Sequence, residues 1–409
     1  MMGELKDIPK HWQTKKLSDL IGNDGVFCDG DWVETKDQDE NGEVRLIQLA
    51  DIRDGYFSDK SDKHLTLKKA YELNCTFLNR GDILVSRMPE PLGRCCLFPL
   101  KGKNKFVTVV DVAIIRSDQN IINNKFLSFA INSPKIRNAI NNLKSGTTRK
   151  RISRKNLNTI DFPVPPILEQ HAIVEKIEEL LSDLENGVEQ LQTAQQKLKV
   201  YRESLLKWAF EGKLTNKDVK DGELPKEWKQ TTLGKIISIS SGNGLPKLKR
   251  HDEGEYLVYG GNGVTGKHSE YMFEEAQLII GRVGVRCGNA YITKPKSWVT
   301  DNAFVVSFDE NELSKTFLLY LIKVLNLNKY SVSTAQPVIS QGKLYPIEVS
   351  IPPFKEQQQI VSELESKLTV CDKLEENINC GLLQAEMLKQ SILKNAFEGK
   401  LVNNYDTPA

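Results

Sequence analysis

The sequence has very little from which a catalytic or metal centre could be assembled. Its seven cysteines (28, 75, 95, 96, 287, 371 and 380) include no Cys-x-x-Cys pair and have no histidine at ligand spacing. That spacing argues against a structural zinc site, and the odd count adds an argument against a disulfide framework. Five histidines, His11, His64, His171, His251 and His268, are scattered without a nucleophilic or metal constellation. No apolar run approaches the roughly 18 residues of a membrane span. The opening residues, Met1 to Asp7, contain no apolar stretch suited to a signal peptide, so a cytoplasmic protein that does not meet a membrane is expected. The net charge is only +2 on 409 residues, so contact with nucleic acid would have to come from local patches. With 39% hydrophobic and 27% charged residues, the chain is too apolar for disorder and long enough for two or three domains.

Proline is missing from two long stretches, residues 167–211 and 354–407. In the first, Ile177, Leu184, Leu191, Leu198 and Leu205 recur every seven residues, with Leu181 and Val188 in the alternate seam position, the pattern of a coiled-coil helix. In the second the equivalent positions are Leu364, Cys371, Ile378, Ala385 and Ile392, flanked by Leu368 and Leu382. The two stretches are copies. Residues 165–214 match residues 352–401 at a constant offset of 187, opening on Pro-Pro-x-x-Glu-Gln and closing on Ala-Phe-Glu-Gly-Lys-Leu. Gly212 and Gly399 then suit the left-handed position that closes a helix. Each helix is expected to run on the order of 65 to 70 Å at 1.5 Å per residue. A seam so narrow needs a partner, and the nearest is the other copy. Polar intrusions, Gln195 and Arg202 in one and Glu375 and Lys389 in the other, can fix register. Antiparallel packing would carry the preceding blocks to opposite ends of a rod and bring Ala409 near Met1.

The blocks before the helices share an outline. Ile8-Pro9-Lys10-His11-Trp12 returns as Leu224-Pro225-Lys226-Glu227-Trp228. A β-type run ending in Arg87 parallels one ending in Arg282, residues 109–115 parallel 299–305, Phe126-Leu127 parallels Phe317-Leu318, and residues 146–153 parallel 333–340. Strands mixed with one or two helices indicate an α+β or mixed α/β domain. One scaffold with two sets of surface residues is expected of two recognition modules with different targets.

These residues resemble the specificity subunit of type I restriction-modification systems. The resemblance covers the whole chain: the Pro-Lys-x-Trp openers, the Pro-Pro-x-x-Glu-Gln helix starts, the Ala-Phe-x-Gly-x-Leu helix ends, and in the second half Tyr259-Gly260-Gly261-Asn262-Gly263 and Gln336-Pro337-x-Ile339-Ser340. The first block departs from it, with Gly146-Thr147-Thr148-Arg149 in place of Thr334-Ala335-Gln336-Pro337. The resemblance implies two α+β target-recognition domains (residues 1–165 and 214–352), a central long helix (166–213) and a distal one with its tail (353–409). It further implies a pseudo-two-fold internal repeat with two long antiparallel coiled-coil helices. The implied partners are double-stranded DNA with a bipartite target, two adenine-N6 methyltransferase subunits and a motor-endonuclease. S-adenosylmethionine, ATP and magnesium would be held by those partners and none by this chain, a non-catalytic address subunit.

For DNA contact the expected residues are Arg87, Arg94, Lys144, Arg149, Lys150, Arg151 and Arg154 in the first block. In the second they are Arg282, Arg286, Gln336, Gln341 and Lys343. The densest basic run, residues 144–155, holds six cations and no acid. The helix and subunit interface is expected at Ile177, Leu184, Leu191, Leu198, Leu205, Leu364, Leu368, Ile378, Leu382 and Ile392. Two rivals remain. Residues 261–267 match G-x-G-x-x-G and nearly a P-loop, which would suit a nucleotide-binding enzyme if a strand preceded and a helix followed; a glycine turn letting backbone approach DNA phosphate fits better. The other rival is a coiled-coil scaffold that never touches DNA. Ile351-Pro352-Pro353-Phe354 is similar to the catalytic motif of adenine methyltransferases but lacks its polar residue, and reads as a helix start.

Overall fold

The protein is described by a computed structural model over residues 8–402, apart from 24, 89, 90, 217, 221, 252, 285 and 333–336. It divides into two units, residues 1–191 with 380–409, and residues 192–379.

In the first unit a four-stranded antiparallel sheet runs in the order Val26–Asp29, Val112–Arg116, Ile83–Ser86, Cys95–Leu97. Side chains alternate across a strand, and here both faces are buried. Ile83, Val85, Ala113 and Ile115 pack on Phe126, Leu127 and Ala130 of the Asn124–Asn132 helix. Leu84, Cys96, Val112 and Ile114 face the other way, onto Ile47, Ile52, Leu78 and Phe98. A three-stranded sheet (His64–Leu65, Val44–Ile47, Phe106–Thr108) has its last pair parallel. Gln13–Lys16 and Asp161–Val164 form a separate antiparallel pair.

The second unit repeats this topology. Its four-stranded sheet is ordered Ser238–Ser241, Ala303–Ser307, Leu278–Gly281, Ala290–Ile292, and its three-stranded sheet Gly263–His268, Tyr256–Gly260, Ser297–Val299. Leu278, Ile280, Phe304 and Val306 pack on Phe317, Leu318 and Leu321 of the Lys315–Leu325 helix. Lys229–Thr232 pairs with Glu348–Ile351. Ladder contacts correct one sequence parallel. Gly30 N–H donates to Val112 O and Asp31 N–H to Thr108 O, as Gly242 donates to Ala303 and Asn243 to Val299. Val112 therefore corresponds to Ala303, and the match of Val109 with Val299 is one residue out. Both turns carry an aspartate, Asp111 and Asp301, at adjacent positions, and side-chain identity does not set register where backbone hydrogen bonds do.

The two long helices, Ile167–Phe210 and Phe354–Phe397, are 44 residues each. Both end on a glycine at positive φ, +76° at Gly212 and +70° at Gly399. Within the first unit Ile173 and Ile177 share a core with Ile392, Leu393, Ala396 and Phe397, and a Cβ at Gly381 would lie 3.1 Å from Leu191. Within the second, Leu205 and Ala209 share a core with Ile360, Leu364 and Cys371. As one helix's numbering rises its partner's falls, so the pairing is antiparallel in both units. Polar seam residues meet as register pins: Gln195 Nε2 donates to Asn379 Oδ1 at 3.1 Å, and Arg202 reaches Asp372 at 2.7 Å and Glu375 at 2.9 Å.

The Glu-Gln of each helix start has a mechanical reason. Gln170 and Gln357 are fully buried. Gln170 Nε2 donates to the carbonyls of Pro165 (2.9 Å) and Ile121 (3.3 Å), while its Oε1 accepts from Asn123 N–H (2.8 Å). Gln357 repeats the set with Pro352 O (3.0 Å), Glu312 O (2.9 Å) and Ser314 N–H (2.9 Å). Each glutamine thus clamps the long helix to the loop that opens the block's own helix. The adjoining glutamates differ. Glu169 accepts from Trp12 Nε1 at 2.9 Å and bonds His11 Nε2 at 2.9 Å, whereas Glu356 accepts from Thr215 and Asn216 and Trp228 Nε1 is left without a partner.

Candidate nucleic-acid interface

The basic run of the first block folds into a hairpin. Ser145 and Arg151 exchange backbone hydrogen bonds of 2.8 and 2.9 Å. The turn is possible because Gly146 adopts φ +97° and leaves space for Arg149 O, 2.5 Å from where a Cβ would be. This presents Lys144, Arg149, Lys150 and Arg151 at the surface, all exposed. Ile152 follows, fully buried, and its N–H donates to Arg87 O, anchoring the hairpin on the sheet. In the second block Val332 N–H donates to Val338 O, and Ile339 N–H donates to Arg282 O as Ile152 N–H does to Arg87 O. Gln336 lies outside the described residues.

The arginines at the strand ends differ from those on the hairpin. Arg87 is directed inward, donating through Nη2 to Val110 O at 2.7 Å with Nε 3.2 Å from Asp29. Arg154 is exposed, donates to Phe27 O at 2.8 Å and stacks over the Phe27 ring. Arg94 is half-buried, its Nε without a partner. Arg282 lies over the Phe304 ring at 5.4 Å, its Nε also without a partner. Arg286, Gln341 and Lys343 are exposed; Gln341 donates to Tyr345 OH. The charged surface is therefore built from hairpin and loop cations, and Arg87 braces its base.

The glycine-rich stretch is a β-hairpin. Tyr256–Gly260 and Gly263–His268 pair antiparallel through a two-residue turn, so no helix opens there as a phosphate-binding turn requires. Gly261 is glycine for packing: a Cβ would sit 2.4 Å from Val283 O and 2.9 Å from Asn302 O. The close approach is to the chain's own backbone, which corrects the expectation of a phosphate there.

A basic feature absent from the expected set is the 3-10 turn Lys247–Lys249 and the following Arg250. Its signal was present in sequence as Lys-Leu-Lys-Arg within ten residues, 242–251, that hold no acid.

Ile177, Leu205, Leu364 and Ile392 are buried, and Leu184, Leu191, Leu198, Leu368, Ile378 and Leu382 are half-buried. Among the described residues no helix is long and apolar enough to cross a membrane. The seven thiols are free, and burial pushes those of Cys75 and Cys96 up to about 12, far from the range of an activated nucleophile.

The family described as type I restriction modification DNA specificity domain matches residues 9–193 and 225–384, and the chain belongs to it. It is similar to the StySPI specificity subunit of Salmonella potsdam (26% identity, 69% of this chain, 66% of that one) and the EcoprrI subunit of Escherichia coli (30%, 37% of this chain, 38% of that one). A putative MjaX specificity subunit of Methanocaldococcus jannaschii is 22% identical across 97% of this chain and 95% of its own. The chain thus spans about two thirds and about two fifths of the first two relatives. Among solved structures, a chain from a study of assembly and conformational transition in a type I restriction-modification system superposes with a TM-score of 0.77 at 19% identity, covering 96% of this chain and 99% of that one. The HsdS subunit of Thermoanaerobacter tengcongensis gives 0.62 at 18%, covering 98% and 100%. At such identity these two establish the fold.

Proposed function

We propose that this chain is the address subunit of a type I restriction-modification complex. Each recognition block reads one half of a bipartite duplex target, and the paired helices set the spacing and dock the methyltransferase subunits. The blocks correspond to residues 1–165 and 214–352, the helical parts to 166–213 and 353–409. The observation that carries this reading is the duplicated sheet topology in which a segment of unlike sequence is anchored at the same place in each copy, Ile152 N–H on Arg87 O and Ile339 N–H on Arg282 O. Cations on such loops suit phosphates, which position a protein, while neighbouring polar side chains suit base edges, which specify sequence. Arg149, Lys150, Arg151 and Arg154, with Lys144 and Arg94, serve the first half-site; Arg282, Arg286, Gln336, Gln341 and Lys343 serve the second. Arg87 acts from beneath.

The chemistry belongs to partners. Methylating adenine N6 requires a base turned out of the duplex into a dedicated pocket. Two methyltransferase subunits with S-adenosylmethionine, and a motor-endonuclease with ATP and magnesium, would supply it in the cytoplasm. The test is co-expression with the methyltransferase subunit in a methylation-free host, followed by mapping of N6-methyladenine. A bipartite motif that depends on this chain, and whose one half changes when residues 1–164 are exchanged, is expected. An assembled complex that methylates no motif would overturn the reading.

A further inference from the structure

The internal duplication supplies its own control for a loop that neither block's outline explains. Gly30 and Gly242 end equivalent strands, each so close to carbonyl oxygens that a Cβ would lie 2.3 Å from Val109 O and 2.4 Å from Val299 O. From both glycines the chain leaves the sheet, and five residues on it forms a 3-10 turn, Thr35–Asp37 in one copy and Lys247–Lys249 in the other. The most exposed large apolar side chain of each block lies on this loop: Trp32 at 70% and Leu248 at 92%, the highest value among the described residues. The charges are opposite. The first loop carries Asp31, Glu34, Asp37, Asp39 and Glu40 against Lys36, which pairs with Glu34 at 2.6 Å. Over the equivalent residues 243–252 the second carries Lys247, Lys249 and Arg250 against Asp252.

The second loop is also firmly mounted. Leu245 is buried at its base. Arg250 is a strut, donating to Leu245 O at 2.7 Å and to Thr265 Oγ1 at 3.4 Å on the neighbouring Gly263–His268 strand. His268 Nδ1 lies 2.8 Å from Lys249 O, and His251 N–H donates to Lys267 O at 2.9 Å. Lys247, Leu248 and Lys249 project from this frame, all three exposed. A single exposed leucine is unremarkable by itself. One held between two lysines on a braced turn, while the equivalent acidic turn is unsuited to a polyanion, points to a partner with regularly spaced negative charge and apolar surface between. A pre-ordered loop also loses little entropy on binding.

We propose that this turn is a DNA-contacting element of the second block: Lys247 and Lys249 bond phosphates, and Leu248 packs against base edges in the groove between them. The Thr35–Asp37 turn takes no such contact. The proposal rests on the DNA-reading function above and adds residues to it.

The test uses the full chain assembled with its methyltransferase subunit, on a duplex carrying the mapped motif and on an unrelated duplex. Binding is measured from 0.05 to 0.3 M salt. For Lys247→Ala/Lys249→Ala the slope of log affinity against log salt should fall by about 1.8, close to 0.9 per phosphate contact. That corresponds to roughly 30-fold weaker binding at 0.15 M if affinities converge near 1 M. Leu248→Ala should leave the slope unchanged and lower the preference for the motif duplex by about fivefold or more, the mark of a base contact. Lys36→Ala should change neither. A wild-type slope in the double lysine variant, or an unchanged preference in Leu248→Ala, overturns the assignment while wild-type specificity stands. A wild-type complex with no preference between duplexes would sink the DNA reading itself.

Discussion

Gly399 stands against Pro9 so closely that a Cβ on the glycine would lie 2.2 Å from Pro9 Cγ, and Gly212 stands against Pro225 in the same way at 2.4 Å. Each glycine also sits at positive φ, and Lys213 N–H bonds Trp208 O just as Lys400 N–H bonds Asn395 O. The joint that closes a long helix onto a Pro-Lys-x-Trp turn is thus built once in each unit. Gly399→Ala should destabilise the first unit and Gly212→Ala the second, each by about 2 to 4 kcal/mol from backbone strain plus overpacking. Gly187, in mid-helix with nothing near its missing Cβ, is the counter-case: Gly187→Ala should stabilise by about 0.5 to 1 kcal/mol. Thermal unfolding should resolve these as Tm shifts of opposite sign.

Gln170→Met keeps the volume of the clamp and removes its hydrogen bonds. Asn123 N–H and the carbonyls of Ile121 and Pro165 would then lose their side-chain partner, a loss of about 3 kcal/mol or more. The equivalent Gln357→Met should cost the second unit a similar amount. Hydrogen exchange near the start of the Asn124–Asn132 or Lys315–Leu325 helix should accelerate only in the unit carrying the substitution; acceleration in both would contradict a local clamp.

Asp31 is half-buried beside Cys75, and burial raises its carboxyl from 3.8 to about 6 against the opposing pull of the Thr76 N–H. A carboxyl raised on folding favours the fold while protonated. Its contribution is complete below the unfolded value near 4 and lost as pH rises through about 6. Asp31→Asn should therefore gain on the wild type between about pH 4 and 6 and hold a constant advantage at pH 8. Denaturant unfolding at pH 4, 5, 6 and 8 checks the sign; an advantage that shrinks as pH rises would refute it.

Reversing Arg149, Lys150 and Arg151 to Glu places three negative charges on an exposed hairpin. All three side chains are exposed, so the variant should still fold, which thermal unfolding checks. DNA affinity should fall by at least about 100-fold and the salt slope by about 2 to 3. Wild-type affinity in this variant would restore the scaffold reading that never touches DNA.

The sequence was most legible where the physics is periodic or repeated. Heptads mark Ile177 and Leu364 as a repeating apolar seam, two glycines mark the helix ends, and short continuous apolar runs ending in arginine mark the strands that hold Ile83 and Leu278. It was least legible where partners are distant in the chain. Nothing near Arg87 announces Val110 O, and nothing near Gly261 announces Val283 O, so one read as a DNA contact and the other as a phosphate turn. The slip between Val109 and Val299 arose because a one-residue shift is settled by ladder bonds that a single strand does not display. The turn around Leu248 is hard to read because four basic and apolar residues look like any solvated loop until the equivalent acidic turn is set beside them.

The glutamine clamp has one further property. All three groups that Gln170 holds, and all three that Gln357 holds, are main-chain atoms. A socket that grips only main chain is indifferent to the side chains of whatever is plugged into it. A loop of different sequence but the same path would meet the same three hydrogen bonds. The clamp therefore fixes the path of the loop it holds and leaves that loop's sequence free to vary.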